Sequence, residues 1–179
     1  MANARKAAAT ALMRIEKNGA YSNLTLAKIF AENDFSPADR AFASACVYGT
    51  LDRKITIDYI LGAFLKKGIS ALKPYTAAVL RSAVYQLLYM EKVPESAAVN
   101  EAVKLIKGSK EQYNSALVNA VLRNIIRNGV KLPDGNGASA LSVRYSCPEW
   151  IVNSFISDYG IETAQALLEE TLKSPPVIL

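Results

Sequence analysis

Pro74-Tyr75-Thr76-Ala77-Ala78-Val79-Leu80-Arg81-Ser82-Ala83-Val84-Tyr85-Gln86-Leu87-Leu88-Tyr89-Met90 is the stretch on which the fold turns. Pro74 suits the opening position of a helix, where a missing N–H costs nothing. Val79, Leu80, Ala83, Val84, Leu87 and Leu88 then recur at spacings of one, three and four. Their apolar face is too wide for a helix lying on a surface, so this segment belongs at the centre of a helical core.

Working outward, the same period continues on both sides. Ala4, Ala7, Ala8, Ala11, Leu12 and Ile15 form one face of a first helix, and Gly19 stops it. A second helix covers Tyr21 to Glu32. Ser36-Pro37-Ala38-Asp39 opens a third with a capping hydroxyl, a proline at the first position and an early acid. Gly49 is expected to bend or break that helix, which Leu51 to Lys66 resumes. Downstream, Pro94 opens a helix through Lys107. Leu117, Val118, Val121, Leu122, Ile125 and Ile126 form the seam of the next, closed by Gly129. Turn formers then cluster in Leu132-Pro133-Asp134-Gly135-Asn136-Gly137. Two shorter helices follow, Pro148 to Tyr159 and about Glu162 to Leu172. Val177-Ile178-Leu179 is a β-type tripeptide with no continuation, as in a fragment of a longer protein. The expected architecture is all-α, a bundle of about seven helices plus two further short ones, with a domain at 1–131, a linker at 132–141 and a further region at 142–179.

Composition narrows the chemistry. The chain has 179 residues and no His, which excludes a His base and His-ligated metal. Cys46 and Cys147 stand far apart in unrelated contexts, which excludes a CxxC site and a four-cysteine zinc site, so no metal is expected. Two unpaired cysteines suit the cytoplasm. No stretch of 18 residues lacks charge, so no membrane span is expected. The formal charge of +5 is uneven: residues 1–131 carry +9 and residues 132–179 carry −4. A basic excess of this size suits phosphate contacts, though helical proteins also carry it without a ligand.

Several short strings together resemble the NusB-like domain: Ala20-Tyr21-Ser22-Asn23-Leu24, Asp39-Arg40, Val47-Tyr48-Gly49-Thr50-Leu51, Tyr85-Gln86-Leu87-Leu88, Val93-Pro94, Ala97-Ala98-Val99-Asn100-Glu101-Ala102-Val103 and Val118-Asn119-Ala120-Val121-Leu122-Arg123. More narrowly they resemble the N-terminal domain of the RsmB (Sun/Fmu) family of bacterial 16S ribosomal RNA cytosine-C5 methyltransferases. Leu141-Ser142-Val143-Arg144-Tyr145-Ser146, Pro148-Glu149-Trp150 and Pro175-Pro176-Val177 resemble the segment joining that domain to the catalytic part. The resemblance implies a parent enzyme that uses S-adenosylmethionine and a pair of catalytic cysteines. The sequence has no glycine-rich strand-to-helix turn and no Pro-Cys motif, so it is expected to bind no cofactor and to be inactive alone. The implied partners are 16S ribosomal RNA and the chain's own C-terminal catalytic domain. Two other readings stay open: a free-standing transcription antitermination adaptor of the NusB type, and a helical protein-interaction module.

Candidate RNA contacts follow from charge and from the likeness to the N-terminal basic segment of NusB proteins. Arg5, Lys6, Arg14 and Lys17, with Thr10, are placed on one half of the first helix opposite its alanines, against the alternative of an ordinary solvated face. Arg53 and Lys54 follow the Val-Tyr-Gly-Thr-Leu segment, with Asp52 and Asp58 diluting their field. Lys66, Lys67, Lys104, Lys107 and Lys110 read as solvated helix ends. Arg40 is expected to form an ion pair, Arg123 and Arg127 to pair with acids or else to form an anion site, Asn100 and Asn119 to bond between helices, and Trp150 to be core with Ile151 and Phe155, against the alternative that Trp150 and Tyr145 stack on bases. Cys147 reads as a helix-start residue and Cys46 as small core filler.

Overall fold

The computed structural model describes residues 3–171; the expectations for Leu172, Ser174-Pro175-Pro176 and Val177-Ile178-Leu179 lie outside them. The described chain is all-α: α1 Ala4–Asn18, α2 Ser22–Ala31, α3 Pro37–Asp52, α4 Lys54–Phe64, α5 Pro74–Tyr89, α6 Glu95–Lys107, α7 Ser115–Asn128, α8 Ala138–Tyr145, α9 Glu149–Tyr159 and α10 Ile161–Thr171. Seven form the bundle and three the C-terminal unit, one more than the sequence pattern yields. The addition is α8, which begins just after the turn-rich stretch, within the expected linker 132–141.

α5 is the hub. Its buried positions include Thr76, Ala77, Ala78, Val79, Leu80, Ser82, Ala83, Val84 and Gln86, and it packs on α1, α3, α4, α6 and α7. One core cluster joins Ile57 and Leu61 of α4 and Leu80 and Val84 of α5 to Ile106 of α6 and Leu122 of α7. The second joins α1, α2 and α3 to Ala78. The alanines of α1 matter here: Ala8, Ala9 and Ala11 are wholly buried, so short side chains let α1 lie close against α3 and α5. Cys46 sits in this second core, as its neighbours suggest, and burial pushes its thiol up to about 12 against the weaker opposing pull of Arg5.

Gly49 does not break its helix. α3 runs through it to Asp52, and the break falls at Arg53. The glycine serves packing instead: a methyl group at position 49 would overlap the Tyr85 ring, so the bare backbone admits that ring from α5. The start of α5 has an unusual cap. No neighbouring side chain serves it; Glu111, from the loop after α6, accepts the Thr76 N–H at 2.7 Å and the Thr76 hydroxyl at 2.5 Å. A carboxylate there satisfies orphan donors and suits the positive helix end.

The C-terminal unit has a small core of Leu141, Val152 and Leu168. It is fixed to the bundle through the first turn of α4, whose own N-cap residue, Arg53, gives no side-chain hydrogen bond. Ser146 supplies one from across the fold: its hydroxyl accepts the Ile55 N–H at 3.1 Å, while the buried Thr56 hydroxyl donates to the Val143 carbonyl at 2.5 Å. Ser146 ends α8 at φ 52°, the left-handed region. Arg144 ties the preceding stretch to α8 by donating to the Gly135 carbonyl.

Several side chains depart from expectation. Trp150 is 74% exposed, because it falls on the outer side of the first turn of α9 while Val152 takes the core position. Asn100 is exposed, and Asn119 accepts from Arg123 within its own helix at 3.0 Å. Arg123 and Arg127 therefore bond amides one turn away rather than acids. Arg40 donates to the Phe35 carbonyl and lies over the Phe30 ring instead of forming an ion pair.

Candidate nucleic-acid interface

The helical period sorts the predicted cations of α1. Lys6, Arg14 and Lys17 are spaced by eight and three residues, so they share one solvent-facing side with Thr10 between them. Among the described residues none of the three has an ion-pair partner. Lys6 lies where two grooves meet. One, of about 560 Å³, runs between α1 and the end of α6 and is flanked by Tyr75, Lys104 and Lys110. The other, of about 210 Å³, lies against the end of α2 and includes Arg14. Lys104 is partly spent on Glu101 at 2.7 Å. Tyr21, 77% exposed, stands at the N-cap of α2 just beyond Lys17.

Arg5 does not join that strip, which corrects its placement beside Lys6, Arg14 and Lys17. One residue before Lys6 is a step of about 100° around the helix, and this turns Arg5 toward the bundle. Its Nε donates to Oε1 of the buried Gln86 at 2.7 Å, and its guanidinium lies 4.8 Å from the Phe42 ring centre. Lys54 is also engaged: its ammonium meets Glu16 at 2.7 Å, and Glu16 also faces Arg81, which binds Asp58 at 2.6 Å. This chain of charges links α1, α4 and α5. Burial raises the Glu16 carboxyl, but the Lys54 hydrogen bond and the charges of Arg81 and Lys54 outweigh it and hold the group below the usual glutamate range.

Arg53 points elsewhere again. Its guanidinium lies 4.9 Å from the centre of the Tyr89 ring, in a cleft between the bundle and the turn from α8 to α9. The six predicted cations thus fall into four settings: an open strip for Lys6, Arg14 and Lys17, an inward contact for Arg5, a charged network for Lys54 and a cleft for Arg53. Lys110, read from the sequence as a solvated helix end, and Tyr85 and Tyr89, not read there as contacts, line these grooves, because nothing local marks residues that converge from separate helices.

Residues 2–127 match the NusB family, and the chain belongs to that family. Over a longer span, the chain is 38% identical across 173 residues to the protein named "Probable ribosomal RNA small subunit methyltransferase B" of Bacillus subtilis (strain 168); the alignment covers 96% of this chain but 38% of that protein. The transcription antitermination protein NusB of Coxiella burnetii (strain Dugway 5J108-111) is 34% identical over 131 residues, which cover 72% of this chain and 95% of that one. In fold, the chain is similar to a solved complex of the antitermination factors NusB and NusE with double-stranded RNA, at 22% identity and a TM-score of 0.65 over 70% of this chain and 94% of that one.

Proposed function

We propose that this chain is the RNA-holding domain of a bacterial S-adenosylmethionine-dependent 16S ribosomal RNA cytosine-C5 methyltransferase. It works in the cytoplasm and presents ribosomal RNA to a catalytic domain of the same protein. The observation that carries this reading is the extent of the likeness to the methyltransferase-named relative. It runs across α8–α10, beyond the 2–127 span of the NusB family. The charge pattern agrees: an uncompensated cationic strip on α1 suits phosphates, while the acidic C-terminal unit does not. The division of labour has a physical basis. An active site sees one flipped base, and choosing that base within a long RNA needs further contact area.

On this reading S-adenosylmethionine is bound by the catalytic domain and not by these residues, among which every described regular element is helical. No helix of the described residues is long and apolar enough to cross a membrane. A second reading, a free-standing antitermination adaptor, is favoured by the near-complete coverage of the Coxiella relative.

The test is binding to a 16S ribosomal RNA hairpin across a salt series. A Lys6→Ala, Arg14→Ala, Lys17→Ala variant is expected to lower the slope of log K against log salt by roughly 2 to 3, at about 0.7–0.9 per phosphate contact. Equal slopes and affinities would remove α1 from the interface. Absence of binding by the unmodified chain at low salt would overturn the RNA reading itself.

A further inference from the structure

The phosphate strip on α1 leaves one large feature unused. Between the ends of α3 and α5 on one side and the α8–α9 turn on the other lies an open cleft of about 790 Å³. Its bundle wall carries Arg53, Tyr85 and Tyr89; the opposite wall carries Tyr145 and Phe155. The Tyr85 and Tyr89 rings are neighbours, 5.6 Å apart and tilted by 31°. Arg53 lies over Tyr89, and among the described residues no carboxylate stands within ion-pair distance of it. Its neighbour Lys54 is committed to Glu16, so Arg53 is the cation left to this cleft.

We propose that the cleft holds one unpaired RNA nucleotide, its base against the tyrosine rings and its phosphate or base edge on the Arg53 guanidinium. The inference rests on the RNA-binding reading above and adds to it a stacking site away from the α1 strip. Three observations support a nucleotide. Aromatic rings beside an Arg suit single-stranded RNA, because every base has a face to stack and the guanidinium adds a planar, bidentate donor. The volume lies in the range of small-molecule-sized pockets. The location is also right for a strand crossing from α1: Lys54, next to Arg53, reaches Glu16, whose neighbour is Lys17. One wall belongs to α8 and α9, outside the 2–127 span of the NusB family, so the complete cleft needs the C-terminal unit.

The experiment uses residues 1–179 and a 16S ribosomal RNA hairpin with 2-aminopurine in its loop. Stacking quenches the fluorescence of that base. The expected result is saturable quenching, weakened about 5- to 150-fold in Tyr89→Leu, the range for losing one stacked base, with the salt slope unchanged. Arg53→Gln is expected to weaken binding and to lower the slope by roughly 0.7 to 0.9. Tyr89 is half-buried; if Tyr89→Leu unfolds, Tyr145→Leu on the opposite wall takes its place. Photo-crosslinks from 4-thiouridine in the loop are expected on peptides containing Tyr85, Tyr89 or Tyr145. Undiminished quenching in the cleft variants, or crosslinks confined to α1, would overturn the cleft proposal while leaving the RNA reading intact. Failure of the unmodified chain to bind the hairpin at all would remove both.

Discussion

Ser146 is asked to do two opposed things, and two substitutions separate them. It occupies the left-handed region at φ 52° and ψ 35°, and its hydroxyl caps the first turn of α4 through the Ile55 N–H at 3.1 Å. A left-handed conformation costs an L-residue about 1–2 kcal/mol. A capping hydrogen bond of this kind is worth about 1 kcal/mol. Ser146→Ala discards the cap and keeps the backbone cost, so it is expected to lose about 1 kcal/mol, or roughly 2–4 °C in Tm for a chain of this size. Ser146→Gly discards the same cap but removes the backbone cost. After glycine's extra chain entropy of about 0.5–1 kcal/mol, it should fall between about 1 kcal/mol less and about 0.5 kcal/mol more stable than the unmodified chain, and on central values above the alanine variant. Urea denaturation of the three chains gives the order, and hydrogen exchange at Ile55 reports the cap locally, with faster exchange expected in both variants. A glycine variant less stable than the alanine variant, or an alanine variant equal to the original, would refute this account of how the C-terminal unit is held.

Other outcomes follow from the same structure. The Glu16 carboxyl is held below its ordinary range, so it contributes stability above the unfolded-state value near 4.5 and loses it as pH falls through the folded value; Glu16→Gln should flatten the acid limb of a Tm-against-pH curve. With a thiol reagent at neutral pH, the partly exposed Cys147 should react first, and Cys46, buried with its thiol at about 12, only at the rate of unfolding. In limited proteolysis the first interior cut is expected between Pro133 and Gly137, where 134–137 are exposed; a first cut within 74–127 would contradict that expectation.

The helices were legible because their causes are local. Pro37, Pro74 and the wide apolar face after it, Ser36 as a cap, and Gly19 and Gly129 as stops all act within one or two turns. α8 was not legible: Gly137 gives no side-chain cap, its eight residues are too few to show a clear period, and its end is fixed by Ile55 and Thr56, some ninety residues upstream. Gly49 misled for the same reason, since the ring that needs its bare backbone comes from α5. On the candidate interface, periodicity placed Lys6, Arg14 and Lys17 together. It could not see that Arg5 would meet Gln86 or that Lys54 would meet Glu16, because partners 81 and 38 residues away leave no mark on local spacing.

The cap that Glu111 gives to α5 sets a timetable for the growing chain. The acceptor for the Thr76 N–H lies 35 residues downstream, so at roughly 5–20 residues per second the central helix waits about 2–7 seconds after its first turn is made before its acceptor has been synthesised. Until then the opening of α5 depends on water for its free N–H groups, and the helix around which the bundle packs remains frayed at one end. Closure is thereby deferred until the loop after α6 exists, by which time both α6 and the helices before α5 are available to fold with it as one unit.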